Sequence, residues 1–192
     1  MQRIGFKEWS GVCQAILGGR QTVIIRKGGI AEGRSGFSFK EKEFYLFPTR
    51  YHEEAQKIRE PQFADKSQPG DEIQIQCAVK VEWSGLISDW DRVQALAPFH
   101  IWREDVIRER FDYEQAPGVH VAFIRAFRLE PTWSFPNETR FGGCRSWVEL
   151  PEAMNESELI PVLSDGENDT QLAKMKQIAG GFGAGLTSGR ST

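Results

Sequence analysis

Along the first twenty residues Phe6, Trp9, Val12, Cys13, Ile16 and Leu17 recur at the spacing of one helix face, and Gly18-Gly19 can end the run. The spacing predicts a helix from Phe6 to Leu17. Next comes a β-branched stretch, Thr22-Val23-Ile24-Ile25, too short for a helix. It predicts a strand from Thr22 to Lys27, buried on both faces, that runs into the turn Arg26-Lys27-Gly28-Gly29. Aromatics alternating with Lys and Glu from Phe37 to Phe47 predict a second strand or hairpin closed by Pro48-Thr49, and Tyr51 to Arg59 reads as a short polar helix stopped by Pro61.

The cleanest alternation lies between Glu72 and Trp83, where Ile73, Ile75, Cys77, Val79, Val81 and Trp83 take every second place. One face meets the core and the other meets water, as in antiparallel sheets. Ser88 or Asp89 caps a helix over Trp90 to Ala97 that Pro98 stops, and a further helix spans Arg103 to Phe111. A long strand follows from Val119 to Leu129, whose odd-numbered face is apolar except for Arg125. That arginine is expected either to pair with a buried carboxylate or to point into a pocket. Beyond Leu150 the pattern dissolves, with at most a short helix over Asn168 to Ile178. The expectation is one globular domain over residues 1–150 and a loosely attached, partly disordered tail over 151–192.

The composition narrows the class without naming a reaction. The chain has 192 residues and a net charge of −3, and no stretch approaches the roughly 20 apolar residues that span a bilayer. The opening residues show no apolar signal core, so a cytoplasmic setting is expected, away from any membrane. Cys13, Cys77 and Cys144 are too few and too widely spaced for a disulfide framework or a zinc knuckle. Residues 1–60 hold eleven Lys or Arg against seven Asp or Glu, a modest basic bias suited to phosphates.

No established phosphate-loop fingerprint is present, yet Arg26, Lys27, Gly28 and Gly29 follow a strand, where backbone N–H groups and two cations can meet an anion. The other reading of that segment is a tight turn. Arg50, Tyr51 and His52 bring a cation, a stacking ring and an acid–base group together, and Trp102 with Arg103 offers an exposed stacking and phosphate-binding pair. Three separated histidines make no metal-ligand set, and nothing calls for a cofactor. A magnesium nuclease would draw on Asp71, Glu43 or Glu32, although Ala78 stands where the pattern Glu-x-Lys, ending here at Lys80, needs its carboxylate. A small hydrolase would rest on His52.

Lys7-Glu8-Trp9, Ile25-Arg26-Lys27-Gly28-Gly29-Ile30 with Glu32, Phe44 to Thr49, His52-Glu53 and Pro98 to Trp102 resemble the bacterial family known as domain of unknown function 1802, over about residues 6 to 150. The resemblance implies a restriction-modification or defence context. A second likeness is to PUA-like barrels of the ASCH type, whose Gly-x-Lys-x-x-Glu-x-Arg motif is met here by Gly19 and Arg26, with Gln21 and Ile24 in place of the Lys and Glu. Together these readings predict an α+β fold: a curved, mainly antiparallel sheet, in one form a small PUA-like barrel, with three to four short helices. The function expected is a nucleic-acid-associated binding module for DNA or RNA, with an enzyme or a small-ligand or protein-interaction domain (through the loop Gly29 to Gly36) as alternatives.

Overall fold

The computed structural model describes residues 1–27, 38–50, 54–64, 71–113, 117–143, 145–152 and 157–180. Among them the strands are β1 (Ile4–Trp9), β2 (Val23–Arg26), β3 (Glu43–Thr49), β4 (Glu72–Ile87), β5 (Val119–Pro136), β6 (Trp147–Glu149) and β7 (Glu158–Pro161). The helices are α1 (Ser10–Leu17), α2 (Glu54–Lys57), α3 (Trp90–Ala95), α4 (Glu104–Asp112) and α5 (Asp165–Ile178). All seven strands form one sheet in the order β2-β5-β4-β3-β1-β6, with β7 also paired to β5. Every pairing is antiparallel except β1 with β3. The fold is therefore α+β with a mixed, mostly antiparallel sheet. It is left open, because no ladder joins β2 to β6 among the described residues, so the barrel form is corrected to an unclosed sheet.

The first helix begins later than its spacing predicts. Residues 4–9 are a strand, and the helix starts at Ser10. Tertiary pairing overrides the local period: Phe6 lies opposite Leu46 on one side and Trp147 on the other, and its ring packs 5.4 Å from Phe44 and 4.8 Å from Trp147. Gly5 permits the close approach of β6, since a Cβ there would meet Leu150 at 2.9 Å and Val148 at 3.0 Å.

Apolar side chains fill both faces of the sheet. Cys77 and Val79 of β4 join the larger core with Val23, Ile24, Ile25, Ile101 and Phe123, whereas Ile75 and Ala78 join a second cluster with Phe47, Trp133, Phe135 and Phe141. The wet face expected for β4 holds at Glu72, Gln74 and Lys80, which are exposed, and is interrupted at buried Ala78. Nearby, the register shifts between the pairs Ile75 with Trp133 and Cys77 with Arg128, where β5 carries extra residues.

Asp89 caps α3 as expected, its carboxylate accepting from the N–H groups of Asp91 and Arg92. Residues 157–180 are tied to this body. β7 pairs with Phe127 to Glu130, Ser164 and Glu167 form a capping box on α5, and Asn168 and Met175 are buried. Asn168 donates to Glu82 at 2.8 Å. Arg125 pairs with Asp165, which is 82% exposed, so neither expectation for that arginine holds: its partner lies in water at the start of α5.

Candidate functional site: an ionic node and an amide-lined cleft

β1, β2 and β3 bring their C-terminal ends together. Because β1 and β3 run in parallel, Glu8 and Trp9 sit beside Pro48 and Thr49, and the Thr49 hydroxyl donates to the Glu8 carbonyl at 3.0 Å. Glu8 alternates inward with Phe6 and is 1% exposed. Its carboxylate accepts from the Trp9 N–H at 2.9 Å and pairs with Arg26 Nη2 at 3.2 Å. Arg26 also donates to the Lys7 carbonyl at 2.6 Å and lies 4.9 Å over the Phe6 ring. Its buried Nε has no hydrogen-bond partner among the described residues.

A second guanidinium reaches the same place from α4. Arg110 Nη1 donates to the carbonyl of Ile25 at 3.1 Å, and its plane rests 3.9 Å from the centre of the Trp102 ring. Trp102 in turn meets Trp9 edge-on at 4.7 Å. Desolvation, reinforced by the charge of Arg26, pulls the Arg110 guanidinium down to about 10, with Glu8 and Glu109 acting in the opposite sense. The node thus holds two cations around one buried carboxylate.

Arg59 and His100 fix the loop that presents Trp102. Arg59 donates to the carbonyls of Trp102 at 3.0 Å, Ala97 at 2.6 Å and His100. His100 Nδ1 accepts from the Trp102 N–H at 3.1 Å. Burial, then the charges of Arg59, Arg110 and Arg20, push His100 down to about 3, so it is neutral near pH 7 and serves as an acceptor.

On the other side of β1 a cleft of about 1350 Å³ opens between α1, the ends of β3 and β4, and residues 137–143. Lys7 of β1 and Arg50 at the end of β3 line it together with Asp71, Glu72 and Glu138. Gln14, Gln62, Gln74, Gln76 and Asn137 supply amides, and half-buried Phe63 supplies a ring. Gln14 and Gln76 hold each other at 3.1 Å, and Lys7 Nζ donates to the Gly143 carbonyl at 2.9 Å.

The residues flagged in the sequence divide between these two places. Arg26 and Trp102 belong to the node, but Trp102 is 1% exposed, which corrects its reading as an exposed stacking ring: it supports Arg110 from within the core. Lys27 donates to the Gly118 carbonyl at 3.1 Å, away from both. Arg50 is exposed on the cleft wall. Arg103 is engaged with Asp105 at 3.1 Å, and that hydrogen bond holds the Asp105 carboxyl below its ordinary range. Gly28, Gly29, Tyr51, His52, Glu32 and the loop from 29 to 36 lie outside the described residues.

Of the nuclease candidates, Asp71 and Glu43 do not come together: Glu43 pairs across from Lys80, whereas Asp71 lies nine residues before Lys80, just ahead of β4 and roughly 30 Å away along it. Among the described residues no group of three His, Cys, Asp or Glu side chains could hold a metal ion, and no helix is long and apolar enough to cross a membrane. The two replaced positions of the barrel motif are structural: Gln21 donates to the Val23 carbonyl at 2.9 Å and accepts from the Ile101 N–H at 3.1 Å, and Ile24 is wholly buried.

Sequence reasoning missed Glu8 and Arg110. Arg110 carried a readable signal, because it falls on the inward face of α4 with Val106, Ile107 and Phe111. Glu8 became legible only once its segment was a strand.

No curated protein matches the chain significantly. Among solved structures it is similar to the ASCH protein from Zymomonas mobilis, with 12% identity, a TM-score of 0.46, and coverage of 88% of this chain and 92% of that one. A point variant of the same protein aligns with 12% identity and a TM-score of 0.47, over 90% of this chain and 94% of that one. The family model described as Domain of unknown function (DUF1802) matches residues 5–174, and the chain belongs to that family.

Proposed function

We propose that the chain is a nucleic-acid-associated binding module whose cleft takes a single-stranded segment. The observation that carries this reading is the mixed lining of the cleft. Lys7 and Arg50 line it together with five side-chain amides and the carboxylates of Asp71, Glu72 and Glu138. A strand lying in the cleft places its phosphates against the two cations, while its bases turn toward groups that hydrogen-bond base edges. Amides suit adenine, carboxylates accept from the cytosine amino group, and Phe63 offers a face for stacking. The setting is cytoplasmic, and the restriction or defence context that the family resemblance implies makes single-stranded DNA the first ligand to test, with RNA beside it.

Fluorescence anisotropy with labelled single-stranded DNA, RNA and duplex oligonucleotides tests this over a range of salt. Two phosphate contacts predict a slope of about −1.4 in log K against log salt, reduced by about 0.7 in Arg50→Ala. The carboxylates opposite predict weak binding with preference for single strands. Absence of salt-dependent binding to any of the three ligands would refute the proposal.

A further inference from the structure

The ionic node is separate from the cleft and has a charge imbalance of its own. Among the described residues its inner charges are Arg26, Arg110 and the single carboxylate of Glu8; Glu109 acts on Arg110 from an exposed position. The Arg26 side chain is 20% exposed, whereas the Arg110 guanidinium is desolvated. Neither is saturated with hydrogen bonds. Among the described residues Arg26 Nε has no partner, and Arg110 makes one hydrogen bond, to Ile25, although a guanidinium carries five N–H donors. Their planes are also held in place, Arg26 over Phe6 and Arg110 over Trp102, which leaves little rotamer freedom to lose on binding.

We propose that Arg26 and Arg110 form a binding site for a phosphate-type oxyanion, whose oxygens take the unused N–H donors and balance the second guanidinium. Forked, preoriented guanidiniums match a tetrahedral dianion better than a point charge would. Glu8 is then a built-in competitor, which holds Arg26 when the site is empty and limits affinity.

Thermal unfolding in inorganic phosphate, compared with sodium acetate and chloride at equal ionic strength, tests the site. Phosphate at ~50-fold above its Kd raises Tm by about 5–10 °C in the wild type. The rise disappears in Arg110→Met and persists in Arg50→Ala, which separates this site from the cleft. Glu8→Gln lowers the phosphate Kd several-fold. Arg110→Met is checked for folding by circular dichroism, and Trp emission supplies a second readout, because phosphate at Arg110 alters the surroundings of Trp102. An equal phosphate effect in wild type and Arg110→Met overturns the proposal, as does the absence of any effect in the wild type. Acetate matching phosphate overturns the ligand class.

Discussion

Replacing Glu8 by leucine removes the carboxylate that holds Arg26 while roughly keeping the volume. Breaking a buried pair by deleting one partner costs about 3–5 kcal/mol, because the other charge is left uncompensated. Arg26 is 20% exposed and can turn part of its guanidinium to water, which sets the cost of Glu8→Leu near the lower end, about 3 kcal/mol. In a domain of this size that lowers Tm by about 6–12 °C. Arg26→Met should cost more, roughly 4 kcal/mol, since Glu8 is only 1% exposed and has no such escape. The double variant Glu8→Leu, Arg26→Met removes both charges and should recover about 2–3 kcal/mol relative to the sum of the singles. Urea denaturation followed by circular dichroism measures all four proteins, with the slope unchanged and the midpoint moved. Additive single and double variants, within about 0.5 kcal/mol, would show that Glu8 and Arg26 are not coupled and would break the account of the node.

His100 makes stability depend on pH. Its folded value near 3 lies below the ordinary 6.5, so the unfolded chain binds its proton first; stability is full above about pH 6.5 and falls toward pH 3 at up to about 1.4 kcal/mol per pH unit. His100→Asn, which retains an acceptor for the Trp102 N–H, should flatten the difference in denaturation midpoint between pH 7 and pH 4; an unchanged difference rejects the assignment. Asn168→Ala removes the bond to Glu82, costs about 1–3 kcal/mol, and should release hydrogen-exchange protection in 165–178 before that of β4 and β5. Simultaneous loss in all three elements would count against α5 as a separately anchored unit. Burial pushes the Cys77 thiol up to about 12, so iodoacetamide at pH 8 should leave it unlabelled in the native protein and modify it on unfolding, as mass spectrometry of peptides can follow.

The parts of the fold legible in the sequence were those whose local pattern agrees with their tertiary role. β4, the Asp89 cap, α4 and β5 each carry an alternation or a capping residue that the structure uses directly. β1 failed because Phe6 and Trp9 satisfy a helical period by coincidence of spacing, and only the flanking strands β3 and β6 decide the matter. The length of β5 to Pro136 was hidden for a related reason: after Leu129 its alternation is interrupted where its register against β4 shifts. For the site, charge and aromatic content directed attention to Arg26, Arg50 and Trp102, but composition does not say which side of a ring faces water. Trp102 carries a polar surface on Arg110, an arrangement set by the closeness of α4 to β2.

The placement of β1 between β3 and β6 has a consequence for the order in which the chain acquires its structure. During synthesis β1 emerges before its partners, which follow only at residues 45–49 and 147–149. The β1–β6 edge of the sheet therefore closes late, with Phe6 waiting for Trp147. Contacts of such separation make loop closure costly and folding slow. A strand left uncovered on a nascent chain is a site for misfolding or for association with another copy. The node built on Glu8 needs β1 beside β3 and Arg26 of β2, so it too waits for segments that follow β1 in the chain.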